Sequence, residues 1–500
     1  MTLLRMRVCS PHPVGGSWAS IVRSVVRLGA DTALGAATAL ILALVGIEPA
    51  HASARMIRVE PPRRISVASP FSGPCTRLDS DFTPGLADET SVAVDPVAPR
   101  RILVAWIADG AATDLVAASR DSGRTFSRIL IPGLSACTGG DAAEASDPNV
   151  MFAPDGRTAY FSGVGVDRLS RNPFRLSASM FAGRSIDGGF SWSRPFLIQP
   201  GEGMYWDKPE LTVNPHRPRV AYYTFDRRFA PDYSHGYSLL STTTNRGRTW
   251  SRPRKLYDPH ISDSWPGTSQ ILVNRDGSLL DVFALATKGG VGPAQELAIR
   301  SVDGGRTWAK PVVIGRSSGQ SVIDPVSKHP LNTIDVLPSQ TVAPDGEVYV
   351  SWLQRGASNA SSRIAVARSS DGGRRWIRRS FRVRGQAAMP SIAVSGDGTI
   401  GVLYYQIAAS SHGGYWPARV ALATSVHRAR HWSQARVGGP FNLLTAASPP
   451  VFGCCRVGDY IGLTRMPHGF AAAFSMAKPI ARHLTDVYFT TITTSRGRPR

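Results

Sequence analysis

Seven acidic residues fall at matching points of a chain that repeats itself. Aligned on the tight turns that punctuate the sequence, Asp88, Asp207 and Asp459 share one register, and Glu89, Asp147 and Asp335 stand beside it. Three residues further on runs a second series: Ser91, Asn149, Glu210, Gln270, Ser339, Ser391 and Gly462. Carboxyl groups in this number suit two kinds of chemistry. A pair can hydrolyse a glycosidic bond, one group protonated as the acid and the other across the scissile bond. The acid then needs burial or a like-charged neighbour to keep its proton at neutral pH. Alternatively, the oxygens can hold a Ca2+ ion. No cofactor is required, and no His or Cys spacing matches a zinc site. The catalytic candidates are Asp147, Asp207 and Glu210, while Asp88, Glu89, Asp335 and Asp459 are candidates for ringing the site and binding substrate or ion. The plain alternative is that each Asp caps its own loop and the space between them holds water.

Something must bring these residues together, and two repeated markers show what it is. The first is a tight turn after an apolar run. It occurs at Asp95-Pro96 and at 153–156, 214–216, 274–277, 343–346, 395–398 and 466–469, seven times in all. Pro and Gly at these places are hairpin and turn residues. Each turn joins two strand-like runs, such as 339–342 and 347–353. The second marker is an octad, S-x-D-x-G-x-T-W in its fullest form at 301–308. Copies begin at 119, 185, 243 and 369, and a decayed copy at 425 keeps only the frame, giving a period of 56 to 68 residues. Its carboxylate or amide accepts backbone N–H groups of its own turn. Its Gly supplies a positive φ, and its Trp or Phe starts the next strand with a large apolar face. Asp121, Asp187, Asn245, Asp303 and Asp371 are therefore read as structural. Such a period signals a repeat architecture.

The octad is the Asp-box, or BNR repeat, and over residues 119–432 the chain resembles the sialidase-like β-propellers of the neuraminidase superfamily. The resemblance implies an all-β propeller of four-stranded blades, with each first strand innermost and the octads on the face opposite the site. It also implies an exo-glycosidase with an arginine triad, a Tyr nucleophile with a Glu partner, and an F/Y-R-I-P string. None of these transfers residue by residue. Phe174-Arg175-Leu176-Ser177 is the nearest string, in another blade context, and Tyr222, Tyr223, Tyr404 and Tyr405 end second strands near the site face. The polar series from Ser91 to Gly462 then faces a wet central tunnel whose mouth the carboxylates ring.

The markers also count blades. Seven turns against six octads leave a last unit with three strands and no fourth. An unpaired edge is a liability, so the segment Arg64–Ala68 is expected to complete it. Seven blades are favoured; the six blades of known sialidases, with the last unit outside the ring, are the alternative.

Residues 1–52 read as an export signal: a basic leader, an apolar run over 33–47, and Ala50-His51-Ala52 with cleavage after Ala52. An uncleaved anchor is the alternative. Residues 53–87 form a lead-in and 88–495 the propeller. The expected product is a secreted, periplasmic or cell-surface monomer with no stable membrane span after cleavage. Cys75, Cys137, Cys454 and Cys455 precede first strands of neighbouring blades. In an exported chain they suggest disulfides, with Cys75 and Cys137 pairing to the 454/455 pair across the ring closure. The formal charge of +21 points to a glycan or other anionic extracellular ligand. No nucleic-acid module is visible. Two functions compete: a glycoside hydrolase, and a non-catalytic propeller that binds glycan, cell wall or protein. The second would use loops 167–177, 226–237 and 408–417 and the aromatics Tyr233, Tyr237, Tyr415 and Trp416. The short 383–391 connection should leave one side of that face open.

Overall fold

A computed structural model describes residues 55–76, 82–168, 176–228, 236–287, 293–317, 322–328, 330–334, 336–355, 361–426, 428–446, 455–478 and 484–496. The leader 1–52, Phe174-Arg175, Tyr233, Asp335 and Cys454 lie outside the described residues. Seven antiparallel sheets follow one another along the chain, the first six each built from four strands consecutive in sequence and the seventh from the last three strands and an N-terminal one. Blade 1 contains Ala87–Val94, Ile102–Ala108, Thr113–Ser119 and Ser127–Leu130; blade 2 begins at Glu144, blade 3 at Tyr205, blade 4 at Ser264, blade 5 at Ser339, blade 6 at Gln386 and blade 7 at Gly462. Each innermost strand touches the next, and that of blade 7 returns to that of blade 1. The molecule is a seven-bladed β-propeller, which removes the six-bladed alternative.

The octads explain the ring's regularity. Position 1 of each, a Ser or Thr, accepts the backbone N–H of the Gly four residues on, at 2.7 to 2.9 Å in five copies. The Asp or Asn of each copy accepts the N–H of the residue four further along. The glycine then presses on the preceding blade: a Cβ on Gly189 would meet Leu103, and one on Gly373 would meet Leu280. Blade 1 obeys the same rule across the closure. A Cβ on Gly123 would lie 2.0 Å from the Phe489 ring of blade 7, and Phe126 packs edge-on against that ring. The decayed copy keeps the turn: Ala429 takes the glycine's place at φ 61°, and Trp432 Nε1 donates to its carbonyl.

Closure uses the N-terminus and includes part of the segment expected, but it begins upstream of it. The outer strand of blade 7 begins at Arg55–Val59, paired antiparallel to Ile492–Arg496, and resumes at Arg63–Arg64, opposite Phe489 and Tyr488. Of Arg64–Ala68, Ile65 and Ser66 still bond to Val487 O. The final strand, Thr485–Arg496, is twelve residues long. Five residues cannot cover that edge, so pairing starts nine residues upstream of Arg64.

The cysteines correct a second expectation. Cys75 pairs with Cys137, and not with the 454/455 pair. The lead-in is drawn to blade 1, where Ser69 Oγ donates to Asp109 Oδ2 at 2.8 Å. Cys137 sits in a short 3-10 turn between blades 1 and 2, so the two meet there. Cys455 is also disulfide-bonded, to a residue outside those described.

Candidate functional site: a charged axial tunnel

Five innermost strands carry the same irregularity. Their pairing slips between Asp88 and Ser91, Ser146 and Asn149, Asp207 and Glu210, Gly267 and Gln270, and Ala388 and Ser391. At each slip one non-glycine residue adopts a left-handed conformation: Glu89, Asp147, Lys208, Thr268 and Met389, with φ between 50° and 60°. A β-bulge of this kind re-aims a side chain, and a non-glycine residue held there costs on the order of 1–3 kcal/mol. In three of the five the next residue is proline: Pro148, Pro209 and Pro390. Proline inside a central strand marks a bulge, so the sequence does carry the signal.

The bulges gather charge at the axis. Lys208 Nζ lies 2.7 Å from Asp147 Oδ1 and 2.9 Å from Asp459 Oδ2, tying blades 3, 2 and 7 together. Arg456, in the approach to blade 7, meets Asp88 at 2.7 Å and also Glu89. Its Nη1 is 3.6 Å from Asp459. Asp459 also accepts the N–H of Ile334 at 3.1 Å, from the segment between blades 4 and 5. All these carboxylates and Lys208 are less than a tenth exposed. Burial alone would raise the Asp459 carboxyl, but Lys208 and Arg456 outweigh it and hold it below its ordinary value. Lys208 stays cationic: burial opposes its charge, and the attraction of Asp147, Asp459 and Glu89 lifts its pKa well above normal.

One layer further down, the polar series forms a belt between blades. Ser91 Oγ donates to Asn149 Oδ1, Asn149 Nδ2 to Glu210 Oε2 at 2.7 Å, and Gln270 Nε2 to the same oxygen at 3.3 Å. Across the ring, Ser339 Oγ accepts the Ile392 N–H. Burial and the nearby Asp147 push the Glu210 carboxyl up to about 8, against the pull of Lys208. The belt lines an axial cavity of about 880 Å³ whose walls also include Asp147, Lys208, Asp459 and Tyr460.

Not every candidate reaches this cavity. Asp147, Glu210 and Asp459 line it, whereas Asp88, Glu89 and Asp207 lie behind its wall. The Asp207 carboxylate accepts the N–H of Lys208, supporting the bulge. Sequence reasoning missed Lys208, Arg456 and Asp114. Asp114, on the third strand of blade 1, is fully buried, and neither of its oxygens has a partner among the described residues. Burial, with Asp147, Glu89 and Asp88 close by, raises its carboxyl well above normal. The tyrosines are structural: Tyr223 donates to Phe181 O and Tyr405 to Ser475 O. Trp416, expected on an open face, is fully buried and donates to Ala408 O; Tyr415 beside it is exposed. Among the described residues no group of three or more His, Cys, Asp or Glu side chains could hold a metal ion.

No known protein family matches the chain, and no curated protein does. Solved structures are similar at low identity. A protein of unknown function from Dyadobacter fermentans is 14% identical over 87% of this chain and 99% of its own, with a TM-score of 0.44. A Hadza microbial sialidase is 14% identical over 79% and 73%, with a TM-score of 0.42. An alpha-L-arabinanase from Penicillium chrysogenum is 12% identical over 74% and 98%, with a TM-score of 0.45. The functional reading therefore rests on the tunnel itself.

Proposed function

We propose that the chain acts on a glycan in the axial tunnel, as a glycoside hydrolase with Glu210 as the proton donor. One observation carries this reading: two carboxyl groups lining one cavity have been pushed apart in acidity. Glu210 keeps its proton to about pH 8, while Lys208 and Arg456 hold Asp459 ionised. Such a split is how acid and base roles are assigned between like groups. Glu210 would protonate the leaving oxygen. Asp459, held ionised against Lys208 in the same wall, would be the second carboxylate, as nucleophile or as the base for a water. Asn149 and Gln270 orient Glu210, and the serines of the belt offer hydrogen bonds to sugar hydroxyls. The Cys75–Cys137 disulfide supports an exported protein. Among the described residues no helix is long and apolar enough to cross a membrane.

A second reading has its own observation. Lys208 occupies Asp147 and Asp459 at once, as a network that only locks the ring would do. The propeller would then bind a glycan without cleaving it. A panel of fluorogenic glycosides, including a sialoside, separates the two. Hydrolysis is supported if Glu210→Gln and Asp459→Asn fold normally and lose turnover. Absence of turnover on every glycoside, with binding retained on a glycan array, selects the second reading.

A further inference from the structure

The outer rim of blade 5 differs from those of its neighbours. Its edge strand, Ile377–Arg384, reads IRRSFRVR. Arg374, Arg375, Arg378, Arg379, Arg382 and Arg384 are all exposed and run along the edge strand and the turn before it over roughly 30 Å, Arg378, Arg382 and Arg384 on one face of the strand and Arg379 on the other. A charged edge discourages sheet-to-sheet association; the outer strands of blades 1 to 4 and 6 carry no more than two basic residues each, while the two-part outer strand of blade 7, with Arg55, Arg58, Arg63 and Arg64, matches the four of blade 5.

The stripe is also uncompensated. Arg382 stands directly opposite Arg363 on the neighbouring strand, and like charges so placed repel. Both are exposed, and among the described residues the Arg363 guanidinium reaches Ser380 Oγ, at 2.8 and 3.0 Å. Arg419 of blade 6 joins the cluster: the Gln406 amide spans Arg384 O at 2.7 Å and Arg419 Nε at 2.9 Å. Between residues 339 and 442 there are thirteen arginines against four carboxylates. Those four are already engaged. Asp345, Asp371 and Asp397 accept bonds from their own turns, and Glu347 is held by Arg368. No carboxylate among the described residues pairs with Arg379, Arg382 or Arg384.

We infer that this rim is a binding surface for an extended acidic polysaccharide. A row of guanidinium forks matches carboxylate or sulfate groups repeated along a chain. A nucleic acid fits less well, because base stacking needs exposed aromatic rings. On the strand Phe381 is buried, and Trp376 just before it is turned inward, donating to Gly373 O. The inference does not depend on the axial site.

The test measures binding of heparin and of polygalacturonate to the full chain across a salt series. A triple variant, Arg379→Gln/Arg382→Gln/Arg384→Gln, is compared with a charge-matched control, Arg248→Gln/Arg252→Gln/Arg254→Gln, on the exposed outer side of blade 3. Melting temperatures confirm that both fold. Counterion release makes each lost contact lower the salt dependence by somewhat under one unit. The blade 5 triple should therefore weaken at least one polysaccharide about tenfold or more and flatten its salt slope by about two units. The control should change affinity less than about twofold. Equal loss in the two triples would reduce the effect to net charge and overturn the proposal. So would absence of binding to both polysaccharides, or tighter binding of single-stranded DNA that the blade 5 triple abolishes.

Discussion

Lys208 and Asp459 are 251 residues apart in sequence and 2.9 Å apart at the axis. The contact joins the first half of the ring to its last blade, and Asp147 shares the same ammonium. Removing the cation would strand two buried carboxylates, and breaking a buried pair from one side costs about 3–5 kcal/mol. Lys208→Met should therefore lower stability by that order in urea unfolding. A loss below about 1 kcal/mol would mean that the carboxyls take up protons at little cost, and that the network does not hold the ring.

Glu210 gives the opposite pH signature. Its carboxyl is raised from an ordinary 4.5 to about 8 in the folded chain, so folding favours the protonated form. Its stabilising contribution is whole below the unfolded value and is lost as pH rises through 8. Glu210→Gln should leave the melting temperature near wild type at pH 5 and raise it relative to wild type at pH 9. If Glu210 is the acid, turnover falls above pH 8 and the variant is inactive. Asp281 supplies the comparison. Burial raises it to about 8 too, but it does not line the cavity. Asp281→Asn should reproduce the stability effect and leave the pH profile of turnover unchanged. An identical activity profile shift in both variants would remove Glu210 from the acid role.

The blade number was legible because the turns before second strands outnumber the octads by one, and only an N-terminal strand could fill the difference. The belt was legible because polar residues at one register of an apolar strand have nowhere to face but the axis. The charge network was harder to see. Sorting by carboxylates passes over Lys208, since a lysine is seldom buried, and Arg456 lies in a connection with no repeat register. The bulges were written in Pro148, Pro209 and Pro390, which read as ordinary strand breaks until the pairing is known. The disulfide could not be read at all, because it depends on the path of the lead-in over blade 1.

The octads predict a difference between losing an acceptor and losing a charge. Asn245 already replaces Asp in one copy, accepting the Thr249 N–H at 3.0 Å and donating to its hydroxyl at 2.8 Å. Asp187→Asn should therefore be nearly neutral at pH 7. Asp187→Ala should cost about 1 kcal/mol, the usual price of a lost cap. Burial would raise the Asp187 carboxyl, but hydrogen bonds from Ser191, Ser185 and Phe190 outweigh it and lower it. Its contribution is present above the unfolded value and fades as pH falls through the folded one. The Asn variant should consequently gain on wild type in melting scans toward pH 3. Equal losses for Asn and Ala at pH 7 would show that the charge matters and the acceptor geometry does not.

The N-terminal strand should be what keeps the ring shut. Arg55–Val59 covers the outer half of the last strand. Ile65, 3% exposed, packs in one cluster with Val487 and Phe489. Ser66 Oγ donates to Asp486 at 2.7 Å, and Arg128 of blade 1 reaches the Ile65 carbonyl at 2.9 Å. Ile65→Ala should cost about 2–5 kcal/mol as a core truncation. Deleting residues 55–66 goes further, because it bares the backbone groups of Thr485–Arg496 as an open edge. That variant should melt lower and associate with concentration in light scattering, while a deletion ending before Arg55 does neither. If the 55–66 deletion stays monomeric at an unchanged melting temperature, closure rests on the innermost strands and the octad contacts of Gly123 and Phe126 with Phe489, and the N-terminal strand is only a cover.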